Sequence, residues 1–256
     1  MSAGPLDGRV VLVTGGNSGI GLGMARGLAE AGAAVCIWGR NREKNARATD
    51  ELRSSGARVV SREVDVSDEQ QVVAGMRALV EELGRLDACF ANAAISSGQD
   101  QPRFVDSTLD QWREMVRVNL DGTYLTLREA ARVLVEQGEG GSLVATSSIA
   151  ARFGSPREHA YAATKAGILA LVNSLAVELG RHGIRVNALM PAWTASPALD
   201  EWFENPAVAE RILPRIPLRR WGRPDEWAGI AIYLASDAST FHTGDVIRID
   251  GGYSVF

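Results

Sequence analysis

The sequence of 256 residues has few of the residues that build disulfide frameworks and metal centres. It contains two cysteines, Cys36 and Cys89, and each lies in a short apolar run. Buried, reduced thiols are therefore expected rather than a disulfide. The three histidines are scattered and do not have the spacing of metal ligands, so the sequence predicts no metal site.

Long hydrophobic runs and blocks of like charge are also missing. No apolar run reaches the roughly eighteen residues that favour a membrane-spanning helix, so no membrane partner is expected. The first residues, MSAGPLDGR, lack the basic and then apolar pattern of a signal peptide, which predicts a cytoplasmic location. The 27 basic and 31 acidic residues give a net charge of −4, and this balance argues against nucleic acid as a partner.

What the sequence does contain is an alternation of short apolar runs with longer periodic segments. This alternation is typical of a doubly wound parallel α/β sheet with helices on both faces, here with about seven strands. The predicted strands are 9–13, 34–38, 58–64, 86–91, 142–146, 184–190 and 245–249. Helices are predicted at 22–31, from beyond residue 40 to about 55, from an N-cap at Ser67 to 83, at 109–137, through Tyr161 to about 181, and at 224–235.

One stretch interrupts this alternation. Residues 192–223 are rich in proline and hold three of the six tryptophans, namely Trp193, Trp202 and Trp221. An irregular aromatic excursion of this length is typical of a substrate wall, and a packed surface excursion is the alternative. Since no repeat or second core is evident, we expect residues 1–256 to form a single domain, with 192–223 as its substrate-binding excursion.

A glycine-rich turn, TGGNSGIG, spans residues 14–21 and lies between the first predicted strand and the first predicted helix. In this context, glycines allow a tight turn and let backbone N–H groups approach a pyrophosphate at the helix N-terminus. The turn therefore predicts a Rossmann-type dinucleotide site. The residues expected to contact the cofactor here are Gly15, Asn17, Ser18, Gly19, Ile20 and Gly21.

The residues that end the second and third strands bear on which dinucleotide binds. An acidic residue at the end of the second strand would bind the 2′-hydroxyl of NAD, but this chain has Gly39 and Arg40 there. Arg40 can pair with a 2′-phosphate, and Gly39 is expected to leave room for it, so NADP(H) is favoured and NAD(H) is the alternative. Asp65, followed by Val66, is expected to accept from the adenine amino group, unless it only caps the following helix.

Tyr161 and Lys165 stand four residues apart in a long apolar-periodic segment, so they share one face if the segment is helical. A nearby ammonium group stabilises a phenolate and lowers the tyrosine pKa from about 10. A shift of about three units would bring this pKa close to neutrality, where a proton donor or acceptor works best. The alternative is an ordinary pair on a surface helix.

With these motifs in this order, the chain resembles the short-chain dehydrogenase/reductase family over essentially its whole length. The matching residues are Thr14-Gly15, Gly19, Gly21, Asp65, Asn92-Ala93-Ala94, Asn119, Ser148, Tyr161, Lys165, Pro191 and Asp250-Gly251-Gly252.

The resemblance implies a catalytic role for Asn119, Ser148, Tyr161 and Lys165. Tyr161 is expected to protonate the carbonyl oxygen, or to deprotonate the alcohol in the reverse direction. Lys165 is expected to hold the nicotinamide ribose and to lower the pKa of Tyr161. Ser148 would donate a hydrogen bond to the substrate oxygen, while Asn119 would anchor a water that links the lysine to solvent.

The resemblance also extends the cofactor contacts to Asn92, Ala93, Pro191, Tyr161 and Lys165. Ser196 stands where the family has a threonine that contacts the nicotinamide amide, and Thr194 stands nearby, so either hydroxyl is a candidate. The chain departs from the family in having Ala94 and Ala192 where glycines are usual. The expected substrate wall consists of Ser96, Phe153, His159, Trp193 and the 202–203 region, with no preference among substrates.

The resulting hypothesis is an oxidoreductase that transfers a hydride between NADP(H) and a ketone or secondary alcohol, mainly in the reductase direction. An NAD-dependent polyol or sugar dehydrogenase is one alternative, and a non-catalytic nucleotide-sensing relative is another. The resemblance implies a homotetramer joined through the helices of Asn119 and Tyr161 and through the final strand. Tyr124, Leu125 and Leu127 are expected to face a partner subunit.

Overall fold

The computed structural model describes residues 4–54, 56–96, 102–196 and 200–255. Within these ranges, seven parallel strands form one sheet in the order β3-β2-β1-β4-β5-β6-β7, which confirms the predicted fold class. The strands are β1 Val10–Thr14, β2 Ala34–Gly39, β3 Val59–Glu63, β4 Ala88–Ala91, β5 Gly141–Thr146, β6 Ile184–Pro191 and β7 Val246–Ile249.

Helices cover both faces of this sheet because each strand is apolar on both sides. In β1, for example, Val11 and Val13 pack against one layer of helices, while Val10 and Leu12 pack against the other. The first layer contains α1 Gly19–Glu30, α2 Arg42–Arg53 and α9 Ala228–Ala235. The second contains α3 Glu69–Leu83, α5 Gly122–Gln137 and α6 His159–Leu179.

The strand order reverses between β1 and β4, which are neighbours in the sheet. The chain leaves β1 towards β2 and β3 on one side, and it leaves β4 towards β5, β6 and β7 on the other. Connecting segments therefore diverge at the carboxyl ends of β1 and β4 and open a crevice there. Every functional residue discussed below lies on or beside this crevice.

Three of the differences from the sequence prediction concern helices near the middle and start of the chain. The N-cap of α3 is Asp68 rather than Ser67, because the Asp68 carboxylate accepts from the N–H groups of Gln70 and Gln71. Helix α1 begins at Gly19, three residues earlier than predicted, since the end of the glycine turn is already its first helical turn. The predicted helix 109–137 is interrupted by a π-helical turn at Arg117–Asp121, between α4 Leu109–Val116 and α5.

The excursion after β6 is closed at its base. Thr194 bridges to Gly222, and the Gly222 N–H donates to the Trp193 carbonyl at 2.9 Å. Two short helices, α7 Asp200–Glu204 and α8 Pro206–Ile212, lie within this loop. The buried Ile212 and Ile216 pack with Met190 of β6, so the excursion carries a small apolar core of its own.

Two expectations about α5 and α6 need correction. Leu127 is fully buried and Leu125 is 9% exposed, because both side chains pack into the sheet core, so Tyr124 is the only one of the three that faces outward. The helical segment 159–182 is long and apolar enough to cross a membrane, contrary to the sequence expectation. Its inner face packs on the sheet through Ile168 and Val172.

Candidate active site

A cavity of about 820 Å³ opens at the carboxyl ends of the central strands. All the predicted cofactor residues line it, and so do Ser148, Ser96 and Ala94. The predicted residues along the lining are Gly15, Asn17, Ser18, Gly19, Ile20, Gly21, Arg40, Asp65, Val66, Asn92, Ala93, Tyr161, Lys165, Pro191, Thr194 and Ser196. Residues from most of the chain's length therefore meet in one crevice.

The glycine turn is shaped for close approach of a phosphate group. Gly15 has φ +66°, a left-handed conformation that favours glycine. A Cβ on Gly21 would overlap the Gly15 carbonyl oxygen and lie 2.6 Å from Asn92 Nδ2, so a side chain there cannot fit. Ser18 precedes α1, and its side chain makes no capping hydrogen bond. The N–H groups at the start of α1 can therefore bind an anion, and this fits a dinucleotide pyrophosphate.

A hydrogen-bond network fixes the glycine turn to the end of β4. The Thr14 hydroxyl accepts from the backbone N–H groups of Asn92 at 2.9 Å and Ala93 at 3.0 Å. The Asn92 side chain donates to the Thr14 carbonyl at 3.1 Å and accepts from the Thr146 hydroxyl at the same distance. These bonds tie three strand ends together, which holds the floor of the cavity in one arrangement.

One end of the cavity, which we call the nucleotide end, carries the charged residues Arg40, Lys44 and Asp65. The Arg40 side chain is 58% exposed and lies 4.0 Å from the Asp65 carboxylate, too far for a hydrogen bond. Burial acts to raise the pKa of Asp65, but hydrogen bonds from Ser67 and the positive charge of Arg40 hold it below its usual value. Asp65 is therefore an acceptor, and Arg40 keeps its donors for another anion.

The opposite end, which we call the catalytic end, contains Ser148, Tyr161 and Lys165. Lys165 is 2% exposed, and its Nζ donates to the Thr146 carbonyl at 2.8 Å. The fully buried Ser147 donates from its hydroxyl to the Lys165 carbonyl, also at 2.8 Å. Ser147 therefore anchors the turn of α6 that carries the lysine.

Tyr161 and Lys165 lie on the same face of α6, with Lys165 Nζ 5.5 Å from the centroid of the Tyr161 ring. Burial raises the pKa of Tyr161 to about 12, although a hydrogen bond with Ser148 acts to lower it. Burial also lowers the pKa of Lys165 to about 8. In the protein by itself, the pKa of Tyr161 is therefore shifted away from neutrality, against the expectation, because desolvation of the phenolate is the largest cause of its shift.

Asn119 lies in the π turn, is fully buried, and does not line the cavity. Its side-chain oxygen accepts from the Ile95 N–H at 2.8 Å, and its Nδ2 donates to the Ile95 carbonyl at 2.9 Å. The backbone carbonyl of Asn119 accepts from the Thr123 hydroxyl. Asn119 therefore fixes the segment after β4 that borders the substrate side of the cavity. The water contact implied by the family resemblance stays a prediction.

The four predicted substrate residues divide into two groups. Ser96 lines the cavity, whereas Phe153, His159 and Trp193 do not. The Trp193 ring instead stacks on Trp202, with the ring centroids 5.1 Å apart, and the His159 ring meets the edge of Phe104. Phe153 is 39% exposed. Direct contact between these three side chains and a substrate stays a prediction.

Two features of the nucleotide end were not found from the sequence. Lys44 lines the cavity together with Arg40. Gly39 also lines the cavity, and the room that it leaves for a phosphate stays a prediction. A Cβ at Gly39 would overlap Asn17 Nδ2 and lie 2.6 Å from Asn45 Oδ1, because two asparagine side chains already fill that space. The sequence signal for this arrangement was Asn45, a polar residue at a buried position of α2.

Comparison with known proteins agrees with this geometry. A family model described as enoyl-(acyl carrier protein) reductase matches residues 15–254. L-rhamnose 1-dehydrogenase (NAD(P)(+)) of Sphingomonas sp. (strain SKA58) is 36% identical over 98% of both chains. The A-factor type gamma-butyrolactone 1′-reductase (1S-forming) of Streptomyces virginiae is 35% identical over 98% of both chains.

Solved structures show the same architecture. The crystal structure of a gluconate 5-dehydrogenase from Burkholderia cenocepacia J2315, in complex with NADP and tartrate, has a TM-score of 0.91 and 35% identity. The match covers 98% of this chain and 97% of that one. Because fold, cavity and relatives agree over nearly the whole length, this chain belongs to the short-chain dehydrogenase/reductase family of NAD(P)-dependent oxidoreductases.

Proposed function

We propose that this protein is an NADP(H)-dependent reductase of ketones, and that Tyr161, Lys165, Ser148 and Asn119 carry the reaction. The observation that carries the proposal is one cavity that joins Tyr161 and Lys165 to the cations of the nucleotide end. When bound, the nicotinamide supplies or accepts the hydride. The residues of the chain position the reactants and move the proton.

In this proposal, Ser148 and Tyr161 hold the substrate oxygen, and Tyr161 donates its phenolic proton as negative charge develops there. Lys165 holds the nicotinamide ribose through its ammonium group. Asn119 positions the segment around Ile95 and acts through it. The chain has the complete catalytic set and belongs to an enzyme family, which speaks against a non-catalytic sensing role.

The protonation state of Tyr161 supports the reductase direction. A tyrosine with a pKa of about 12 is a neutral phenol at physiological pH, so it is ready to give a proton to a carbonyl oxygen. Oxidation of an alcohol would first require the phenolate, which burial disfavours. The free phenol therefore holds the proton that the reduction of a ketone consumes.

The charges of the nucleotide end support NADP(H) over NAD(H). Arg40 and Lys44 both border the cavity, and a 2′-phosphate is the group that a guanidinium and an ammonium would bind together. The alternative is an NAD-dependent polyol or sugar dehydrogenase. It draws support from the rhamnose dehydrogenase relative, which is named for NAD(P)(+).

The charges of the cavity also support an uncharged substrate. Apart from Lys165, whose ammonium is bonded to the Thr146 carbonyl, the charged residues in the described lining all lie at the nucleotide end. The neighbouring segments 97–101 and 197–201 contain no lysine or arginine in the sequence. A carboxylate or phosphate substrate would therefore meet no free cation, and burying it there would be costly.

The aromatic excursion 192–223 is proposed as the substrate wall of one domain that spans the chain. Its tryptophans, Trp193, Trp202 and Trp221, pack with one another and with Phe203. Tyr253 extends this group to Phe153, which lies edge-on to its ring. The rings of this wall offer apolar area, which suits a ketone with a bulky apolar or cyclic body, although the Arg215 guanidinium lies 4.6 Å from the centroid of the Tyr253 ring.

Exposed apolar side chains support the proposal that the protein is a homotetramer. The outer face of α6 exposes small and apolar side chains, with Val177 at 87% exposure, and Tyr124 of α5 is 46% exposed. Phe241, just before β7, is fully exposed. Apolar surface of this kind is typical of subunit interfaces. The cytoplasmic location stays a prediction from the sequence.

The deciding experiment compares cofactors and matched substrates with the purified protein. Reduction of 4-methylcyclohexanone and of 4-oxocyclohexanecarboxylate would be followed with NADPH and with NADH. We expect a higher kcat/KM for NADPH, and at least about a tenfold advantage for the uncharged ketone. A strong NADH preference would overturn the cofactor proposal, and faster reduction of the carboxylate would overturn the substrate proposal.

A further inference from the structure

Asn45 is a buried amide on an otherwise polar surface helix. Asn45 is 3% exposed, and it extends the buried side of α2 that Ala48, Thr49 and Leu52 form. An apolar side chain would suit this buried position, whereas a buried amide is costly unless its hydrogen bonds are made. The side-chain bonds of Asn45 connect the ends of β2 and β3 to Asn17 at the nucleotide end of the cavity.

The orientation of the Asn45 amide is determined by two backbone carbonyls. Its Nδ2 donates to the Gly39 carbonyl at 2.8 Å and to the Arg62 carbonyl at 3.1 Å. A carbonyl can only accept, so the group that faces the ends of β2 and β3 must be the nitrogen. Both N–H donors are then used, and the Asn45 oxygen points towards the glycine turn.

This oxygen in turn determines the orientation of Asn17. Asn17 Nδ2 donates to Asn45 Oδ1 at 2.6 Å, so the Asn17 amide oxygen is left as an acceptor. Among the described residues, no group donates to that oxygen, and Asn17 lines the cavity. A chain of hydrogen bonds thus runs from the sheet backbone through Asn45 to an acceptor at the nucleotide end.

The two asparagines also explain the glycine that ends β2. A Cβ at position 39 would overlap Asn17 Nδ2 and approach Asn45 Oδ1 to 2.6 Å. The asparagine pair and any side chain at position 39 therefore exclude each other. An acidic residue cannot stand there while the pair is intact, and the charge next to the ribose site is set by Arg40 and Lys44.

We propose that Asn45 is a positioning residue for the cofactor, which holds the Asn17 amide oxygen as a hydrogen-bond acceptor for a hydroxyl of the adenosine ribose. A phosphate oxygen has no proton to donate at neutral pH, so a hydroxyl is the group that this acceptor suits. Asn45 acts through Asn17 and does not itself line the cavity. This inference rests on the proposed dinucleotide site.

The test is a double-mutant cycle on ligand affinity, with no turnover needed. Adenosine 2′,5′-bisphosphate is the probe, and calorimetry gives its Kd for the intact protein and for Asn17→Ala, Asn45→Leu and the double variant. Each single variant should weaken binding about fivefold, the effect of losing one neutral hydrogen bond. The Kd of the double variant should be no higher than the higher of the two single-variant values, because both changes remove the same contact.

Thr49→Val is the matched control. Thr49 lies on the same buried side of α2 and donates to the Asn45 backbone carbonyl, so its loss perturbs the helix without touching Asn17. It should lower Tm and leave the Kd unchanged. If Asn45→Leu yields no soluble protein, Asn45→Ser takes its place, since serine is smaller and cannot span to Asn17.

The outcomes separate this inference from the proposed function. Additive effects in the double variant, or an unchanged Kd in the Asn45 variant, would overturn the positioning role while the dinucleotide site stands. If 5′-AMP binds the unmodified protein and the bisphosphate does not, the NADP(H) preference fails, and the cycle is run with 5′-AMP. If neither nucleotide binds, both the inference and the proposed site are wrong.

Discussion

The catalytic end and the nucleotide end of the cavity place their cations in opposite surroundings. Lys165 is 2% exposed and is bonded to a backbone carbonyl, whereas the Arg40 side chain is 58% exposed and lies 4.0 Å from its nearest carboxylate. Desolvation lowers the pKa of Lys165 to about 8. In the proposed function, the chemistry is therefore tuned by burial, and the selection of the cofactor depends on charges in solvent.

This difference affects how each end responds to change. A buried group has fixed partners, so altering it removes a function outright. An exposed cation interacts through a high dielectric and is screened within about 8 to 10 Å at physiological salt. Substitutions at the catalytic end should abolish turnover, while those at the nucleotide end should shift the choice of cofactor.

The largest expected effect belongs to Tyr161→Phe at the catalytic end. It removes the proposed proton donor, so kcat for ketone reduction should fall about a thousandfold. The Kd for NADPH should stay within about twofold, because an interaction lost only in the transition state leaves ground-state binding intact. Steady-state kinetics and fluorescence titration measure the two quantities.

Tyr124→Phe is the control for this change, since it removes the same hydroxyl from an exposed position on α5. It should keep full activity. Retention of more than about a tenth of kcat in Tyr161→Phe would contradict the role of Tyr161 as the proton donor.

A smaller effect is expected from Arg40→Ala and Lys44→Ala at the nucleotide end. Each removes a charge-assisted hydrogen bond to the 2′-phosphate, so kcat/KM for NADPH should fall about 10- to 100-fold. The value for NADH should be unchanged, and kcat at saturating cofactor should be preserved.

Arg47→Ala provides the matched control for these two variants. Arg47 lies on α2 with Lys44, pairs with Glu43 at 3.6 Å, and does not line the cavity. This variant also removes one positive charge, and it should leave kcat/KM unchanged for both NADPH and NADH. Equal losses for NADPH and NADH in the Arg40 variant would show that Arg40 does not select for the phosphate.

The smallest effect concerns pH. With a Lys165 pKa of about 8 and a Tyr161 pKa of about 12, rising pH removes the ammonium first and leaves the phenol protonated. The kcat/KM for NADPH in reduction, which reports the free enzyme, should therefore decline above about pH 8. A pH–rate profile that is flat to about pH 10 would contradict this assignment.

The lowered pKa of Lys165 has the opposite effect on folding stability, which should rise with pH while activity declines. Between about pH 8 and the lysine's ordinary pKa of 10.5, the folded protein has released a proton that the unfolded chain still binds. Stability from this group therefore rises with pH across that window. The decline in activity above pH 8 should thus occur without unfolding driven by Lys165, as circular dichroism at each pH would show.

Several elements were predictable because their signals are local. The glycine turn between β1 and α1 has a backbone that only glycine suits at Gly15 and Gly21, and that requirement is visible in the residue types. The alternation of apolar runs and helical periods likewise follows from how strands and helices bury their faces. These patterns led to the correct sheet, and the residues predicted to contact the cofactor line one cavity at its strand ends.

Other features depended on partners distant in the chain. The hydrogen bonds between Asn119 and Ile95 were not predicted, because the two residues are 24 positions apart and the π turn has no simple sequence mark. Asn45 was overlooked because its partner Asn17 is 28 positions away. The pKa of Tyr161 was misjudged because the lysine spacing was visible in the sequence and the degree of burial was not.

The sequence by itself determined the fold class, the place of the proposed dinucleotide site, and the identity of the tyrosine and lysine that share one face of α6. These depend on backbone conformation and on helical or strand periodicity, which act over a few residues. Only the tertiary structure decided the protonation states at the catalytic end and the asparagine pair beside Gly39. Desolvation and hydrogen-bond direction depend on what the folded chain packs around a group, and neighbouring residues in the sequence do not carry that information.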